Sequence, residues 1–227
     1  VYLNRAVDDT LLNYINRAKY TMDIAIYNWN NTNLSDLVSA VNAAYNRGVK
    51  VRVIAEGGNA NVSMNSLASG IGTIKRNSTQ GIMHDKFVVF DVDSADLATV
   101  WTGSTNWTEQ QIHLDCNNVI IFQDQSMARA YTLEFEEMWG GNGLQPNAAN
   151  SKFGPNKSDN TPHLFNVAGK MVEVYFSPSD DVENKIKEKI RTADSDIEVA
   201  VMQMTRTALS TEMIYRFNSG SFVGEVV

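Results

Sequence analysis

Gly81-Ile82-Met83-His84-Asp85-Lys86-Phe87-Val88-Val89-Phe90-Asp91 sets a histidine and a lysine two residues apart at the entry to an apolar run. Four consecutive apolar residues between polar ones predict a buried strand over 87–90. In an extended chain, side chains two apart share a face, so His84 and Lys86 point one way and Asp85 the other. Downstream, Gly103-Ser104-Thr105-Asn106-Trp107-Thr108 repeats that spacing, and Ser104 and Asn106 share a face in turn. An imidazole beside an ammonium suits a phosphate. The imidazole can attack phosphorus while the ammonium holds a non-bridging oxygen. The Ser104 hydroxyl and the Asn106 amide can donate to the same phosphate, and Gly103 lets backbone approach closely. A purely structural role for His84 is disfavoured, because Lys86 beside it would be a buried charge without an anion.

Around these stretches, helical and extended patterns alternate along the chain. Asp8-Asp9-Thr10 reads as a helix start, with Leu11, Leu12, Ile15 and Ala18 on one face. Met22 to Tyr27 reads as a strand. Leu34, Leu37, Val38, Val41, Ala44 and Tyr45 recur at helical spacing, and Gly48 is the stop. Val49–Ala55, Ala98–Thr102 and Asn118–Phe122 read as further strands. Ser126–Trp139 reads as a helix with Met127, Ala130, Tyr131, Phe135 and Met138 inside. Such alternation predicts an α/β fold, a mixed sheet with helices on both faces.

The stretch from Gly140 to Pro162 is rich in Asn, Gly and Pro and reads as a linker or long loop. Beyond it the opening pattern returns. Val1-Tyr2-Leu3 is echoed by Val174-Tyr175-Phe176, Asp8-Asp9 by Asp180-Asp181, and Ala18–Tyr27 by Ala193–Met202, with Leu34 aligning to Leu209. This predicts an internal duplication. The expected division is a first lobe over 1–140, a linker over 141–170, and the start of a second, incomplete lobe over 171–227. At this offset the counterpart of His84 falls beyond Val227.

The chain has 227 residues, 43% hydrophobic and 20% charged, with a net charge of −7. That composition suits a soluble globular protein, and no run reaches the ~18 apolar residues that a membrane helix needs. Neither part of the chain is basic, which argues against nonspecific duplex binding. The single cysteine, Cys116, excludes a disulfide framework and a Cys-rich zinc site. It lies just before the apolar Val119–Phe122 and is expected as a small core residue. His113 lacks a lysine two residues on and reads as a surface or loop residue, and His163 sits in the linker and is set aside likewise. Asp115, Asp124, Glu134, Glu136 and Glu137 show no metal-ligand spacing and read as solvated. The chain begins at Val1 with no basic-then-apolar leader, as either a processed or a trimmed chain would.

The two stretches quoted first resemble the signature of the phospholipase D superfamily, HxKxxxxD followed by GSxN. His84, Lys86 and Asp91 match the first part, and Gly103, Ser104 and Asn106 the second. Met83 and Trp107-Thr108 also resemble bacterial members, and the Asn117-Asn118 pair before a strand resembles the family's polar tail to the motif. The spacing departs from the family: eleven residues separate Asp91 from Gly103, a longer interval than usual. The extra residues, Asp93-Ser94-Ala95-Asp96, read as a hairpin tip that leaves the site intact.

The resemblance implies an αβαβα sandwich of two similar lobes. It implies a phosphodiesterase with His84, Lys86 and Asn106 as catalytic residues. Lys86, Ser104 and Asn106 would hold the phosphate, with Asp91 and Gly103 in supporting roles. Two such motifs would meet across a pseudo-twofold axis. One histidine would form a phosphohistidine and the other would protonate the leaving oxygen, without metal or cofactor. The second half-site would come from further C-terminal sequence or, less favourably, from a homodimer partner. The substrate is expected to be a phospholipid, hydrolysed or transphosphatidylated. The alternatives are an endonuclease with the same chemistry and a noncatalytic phosphate-binding module. Asparagine-rich loops lean toward a secreted or cell-envelope protein.

Overall fold

The computed structural model describes residues 7–30, 35–76, 81–219 and 223–226. Val1-Tyr2-Leu3 and Leu34, used above for the repeat and the helix face, lie outside them. The chain divides into two compact units, Val1–Val174 and Tyr175–Val227.

The first unit opens with α1 (Val7–Arg17), β1 (Thr21–Ile26), α2 (Ser35–Asn46) and β2 (Lys50–Ala55). Gly48 follows α2 at φ 96°, a left-handed turn that glycine adopts without strain. Then come β3 (Gly72–Lys75), β4 (Lys86–Phe90), β5 (Thr99–Gly103), the short α3 (Glu109–His113), β6 (Val119–Phe122) and α4 (Gln125–Trp139). The six strands form one sheet in the order β3-β2-β1-β4-β5-β6. β1, β2 and β3 run parallel, while β4, β5 and β6 add antiparallel ladders. The sheet is therefore mixed.

Period-two alternation sends side chains to two helix layers. Met22, Ile24, Ile26, Val53 and Val88 join Leu11, Ile15, Leu37 and Val41 in the core under α1 and α2. On the opposite face, Phe87 meets Tyr131 of α4 edge to face at 5.1 Å, and the Arg52 guanidinium lies 4.9 Å over Phe135. Arg52 pairs with Asp23, its register partner on β1, at 2.6 and 2.7 Å. Asp124 caps α4 by accepting from Met127 N–H at 2.8 Å.

Residues 141–163 fold back on α4. Lys157 pairs with Glu134, and Glu137 accepts from Ser158 N–H at 3.0 Å and pairs with Lys152 at 3.3 Å. This corrects the expectation that Glu134 and Glu137 are solvated. Glu134 is 1% exposed, because a polar segment covers it and brings its own cations. Burial raises the Glu134 carboxyl to about 8 despite Lys157 beside it. A hairpin, β7 (Leu164–Val167) and β8 (Lys170–Glu173), ends the unit.

The second unit contains α5 (Val182–Thr192), β9 (Asp196–Val199), α6 (Thr207–Asn218) and β10 (Val223–Val226), with β9 and β10 parallel. Its helix-strand-helix-strand order is that of the first four elements, displaced by 172–175 residues.

Asp91 stands at the far end of β4 from Lys86, at φ 50°. Its carboxylate accepts from the N–H groups of Lys19, Tyr20 and Thr21 at 2.6–3.1 Å and so fixes the entry to β1. The β4–β5 hairpin tip, residues 91–98, lies at this same end. Asp91→Ala removes all three charge-assisted bonds and leaves alanine in a left-handed turn. It is expected to lower stability in urea unfolding by about 3 kcal/mol. Asp91→Asn, which keeps one acceptor oxygen and tolerates that conformation, should recover part of the loss.

Candidate active site

The site forms where three chain segments meet at the C-terminal end of β1. Tyr27 N–H donates to Asp85 O at 2.9 Å, joining β1 to the segment that leads into β4. Trp107 N–H donates to Asn28 O at 2.9 Å, joining β1 to the loop after β5. Trp29 and Trp107 pack edge to face at 4.8 Å and anchor the junction. His84, Lys86 and Asn106 are thereby brought around Tyr27 and Asn28.

Lys86 is the first residue of β4 and 9% exposed. Its ammonium donates to His84 O at 2.7 Å and lies 5.0 Å over the Tyr27 ring. Burial pulls its pKa down to about 8, against the attraction of Asp85. Burial in turn raises the Asp85 carboxyl, which Lys157 and Lys86 oppose. The His84 ring is exposed and meets Tyr27 edge-on at 4.5 Å. Partial burial and then the Lys86 charge lower its pKa, with Glu56 acting the other way. Both influences favour the neutral form of the imidazole, the form in which its ring nitrogen has a free lone pair.

Glu56 and Arg76, which the sequence reading missed, hold this segment from below. Both are buried and pair at 2.8 and 2.9 Å. Glu56 also accepts from Met83 N–H at 2.7 Å and Gly58 N–H at 2.8 Å. Burial alone would raise its carboxyl, but Arg76 and the two N–H groups outweigh burial and hold it low. The pair thus fixes the residue directly before His84. Its members are twenty residues apart and lie in no motif.

Asn106 is buried, and its side chain is held at both ends. Oδ1 accepts from Asn28 N–H at 3.2 Å, and Nδ2 donates to Gln111 Oε1 at 3.1 Å. Ser104 is exposed. Its hydroxyl donates to Asn117 Oδ1 at 2.9 Å and accepts from Asn118 N–H at 3.0 Å. The close approach at Gly103 is to backbone, since a Cβ there would sit 2.2 Å from Asn118 O. Asp91 is not brought to this site. His113 ends α3 and reaches Asp8 at 3.5 Å, and His163 reaches Val174 O and Asp159. Cys116 is exposed, which corrects the expectation of a core residue. The strand starts only at Val119, and residues 114–118 form the loop that presents Asn117 and Asn118.

Between pH about 8 and the ordinary 10.5, the unfolded chain holds a Lys86 proton that the folded chain has released. Stability therefore rises with pH across that window, and below it the buried ammonium weighs against the fold. Lys86→Met should raise the melting temperature near neutral pH and flatten the rise between about 8 and 10.5. Thermal unfolding of the two proteins against pH measures both effects.

The family model described as "Cardiolipin synthase, PLD-like domain" matches residues 11–139. The mitochondrial cardiolipin hydrolase of Xenopus tropicalis is 32% identical over 136 residues, covering 57% of this chain and 59% of that protein. The human mitochondrial cardiolipin hydrolase is 30% identical over 136 residues, covering 57% of this chain and 49% of that protein. The chain thus spans about half the length of the curated relatives it matches. The crystal structure of Nuc from Salmonella typhimurium, a phospholipase D family member, superposes with a TM-score of 0.50. It is 27% identical, with 58% of this chain and 85% of that chain covered. The phosphatidylserine synthase of Haemophilus influenzae Rd KW20 shares the fold, with a TM-score of 0.63 and 11% identity over 96% of this chain and 58% of that one. The matched residues include every motif position from His84 to Asn106. The chain belongs to the phospholipase D superfamily through its PLD-like domain.

Proposed function

We propose that this chain carries one half-site of a phosphodiesterase that acts on phospholipids. The observation that carries the reading is an exposed His84, depressed toward the neutral imidazole, beside the buried ammonium of Lys86. In this mechanism the His84 imidazole attacks phosphorus or, in the mirrored role, delivers the proton to the leaving oxygen. Lys86 and Asn106 offset the charge that develops on the non-bridging oxygens. Attack displaces the alcohol and leaves a phosphohistidine. Water activated by the second histidine then releases phosphate monoester and restores the imidazole.

The second histidine belongs to a second half-site. It is supplied by sequence C-terminal to Val227 or by another copy of the chain. The second unit supports the first source, because it repeats the helix-strand-helix-strand order that precedes His84 in the first.

Two observations favour a lipid over other phosphodiesters. Ile82, two residues before His84, is 59% exposed, and Leu114, directly after α3, is 66% exposed. Apolar side chains at the edge of a polar site suit an acyl chain or a membrane surface. The relatives named cardiolipin hydrolase point the same way.

Hydrolysis of bis(p-nitrophenyl) phosphate in EDTA tests the reading, with this chain, a C-terminally extended chain and its His84→Ala variant. The extended chain should be active, and His84→Ala should lose on the order of a thousandfold or more. Activity that needs added metal and ignores His84 overturns the proposal. Cardiolipin vesicles assayed beside single-stranded DNA then decide the substrate. Cleavage of DNA alone would replace the lipid reading with a nuclease.

A further inference from the structure

Gln111 belongs to no motif, yet both phosphate-donor branches of the site pass through it. Its side-chain Oε1 accepts twice from Asn106, from the backbone N–H at 3.2 Å and from Nδ2 at 3.1 Å. Its Nε2 donates to Asp115 Oδ2 at 3.1 Å, and the other oxygen of Asp115 accepts from Gln110 Nε2 at 2.6 Å. Its backbone carbonyl accepts from Asn117 Nδ2 at 3.0 Å, and Asn117 holds the Ser104 hydroxyl. Thr108, which caps α3, accepts from Gln111 N–H and sets the residue in place.

An amide side chain is planar, with two donors and one acceptor group. In Asn106 the acceptor takes the Asn28 N–H and one donor goes to Gln111. With both ends fixed, the plane of the amide is fixed. One Nδ2 hydrogen remains, without a partner among the described residues. Without Gln111 the amide could rotate about its last bond and present oxygen in place of N–H to an anion. Asp115 has the matching role one step back. A glutamine can turn its own amide around, but the Asp115 carboxylate accepts only from the nitrogen end.

We infer that Gln111, oriented by Asp115, is a positioning residue that fixes the Asn106 amide with its free N–H available to the substrate phosphate. This rests on the phosphate-binding reading of the site and extends it to residues outside the motif.

The test measures binding of inorganic sulfate, a tetrahedral oxyanion of constant charge across the working pH range, by calorimetry on the full chain. Gln111→Ala and Asn106→Ala should each weaken sulfate binding roughly tenfold. The double variant should be no weaker than either single one, because both remove the same donor. Gln111→Glu keeps an acceptor for Asn106 but sets a second carboxylate against Asp115. It should bind like the wild type at acid pH and lose affinity as the shared proton leaves. Asp115→Asn in that background restores a donor opposite Glu and should remove the pH dependence. A role in folding alone would produce neither the new pH limb nor its rescue. If Gln111→Ala binds sulfate like the wild type while Asn106→Ala does not, the inference fails and the phosphate site stands. If Lys86→Ala and Asn106→Ala also leave the affinity unchanged, or the wild type binds no sulfate, the phosphate site fails and the inference with it.

Discussion

The buried Glu56–Arg76 pair is the joint on which the site rests. Glu56 lies directly after β2 and Arg76 directly after β3, so the pair ties two parallel strands together at their C-terminal ends. The same carboxylate takes the Met83 N–H and so fixes the backbone one residue before His84. A buried ion pair contributes little net stability compared with an apolar replacement, but removing one partner leaves a bare charge and is costly. What this pair supplies is position. It also places a negative charge where it slightly favours protonation of His84, against burial and Lys86.

Lys86 shows the opposite economy. Its ammonium is out of water with a carbonyl, an aromatic face and the neighbouring Asp85 as compensation. These do not replace full hydration, as its lowered pKa shows. A cation kept under-solvated in this way binds an anion more strongly than the same cation in water. The layer behind it follows the same logic. Asp85 and Glu134 flank Lys157 there, burial raising both carboxyls and the lysine opposing it, closed by the segment that folds back over α4.

The motif and the main sheet were legible in the sequence because both depend on local spacing. Phe87–Phe90 is a run of four apolar residues, and His84 and Lys86 gain meaning from a separation of two. α4 carries apolar residues on one helical face, and Met127, Ala130, Tyr131, Phe135 and Met138 are all buried. What escaped depended on pairings distant in sequence or on elements too short for a pattern. β3 is four residues with an alternating, half-exposed surface, and α3 is five. Glu56 and Arg76 are ordinary charged letters until the fold brings them together. Glu134 reads as solvated because its cover, residues 141–163, has little apolar content and encloses it with Lys157. Cys116 reads as core because an apolar run follows, but that run begins three residues later.

The hairpin tip over 91–98 sits at the end of β4 and β5 remote from His84. The register of the two strands is set by Phe87 opposite Thr102 and Phe90 opposite Thr99, and Asp91 bolts the base of the tip to β1. Chain added beyond that base lengthens a solvent-facing bend and leaves every rung of the ladder where it was. The fold therefore has a built-in place for variation. A change of length at this end is taken up by the bend and not by the paired strands that carry the site, so the outline of the molecule and the spacing of its motif are set at opposite ends of the same two strands.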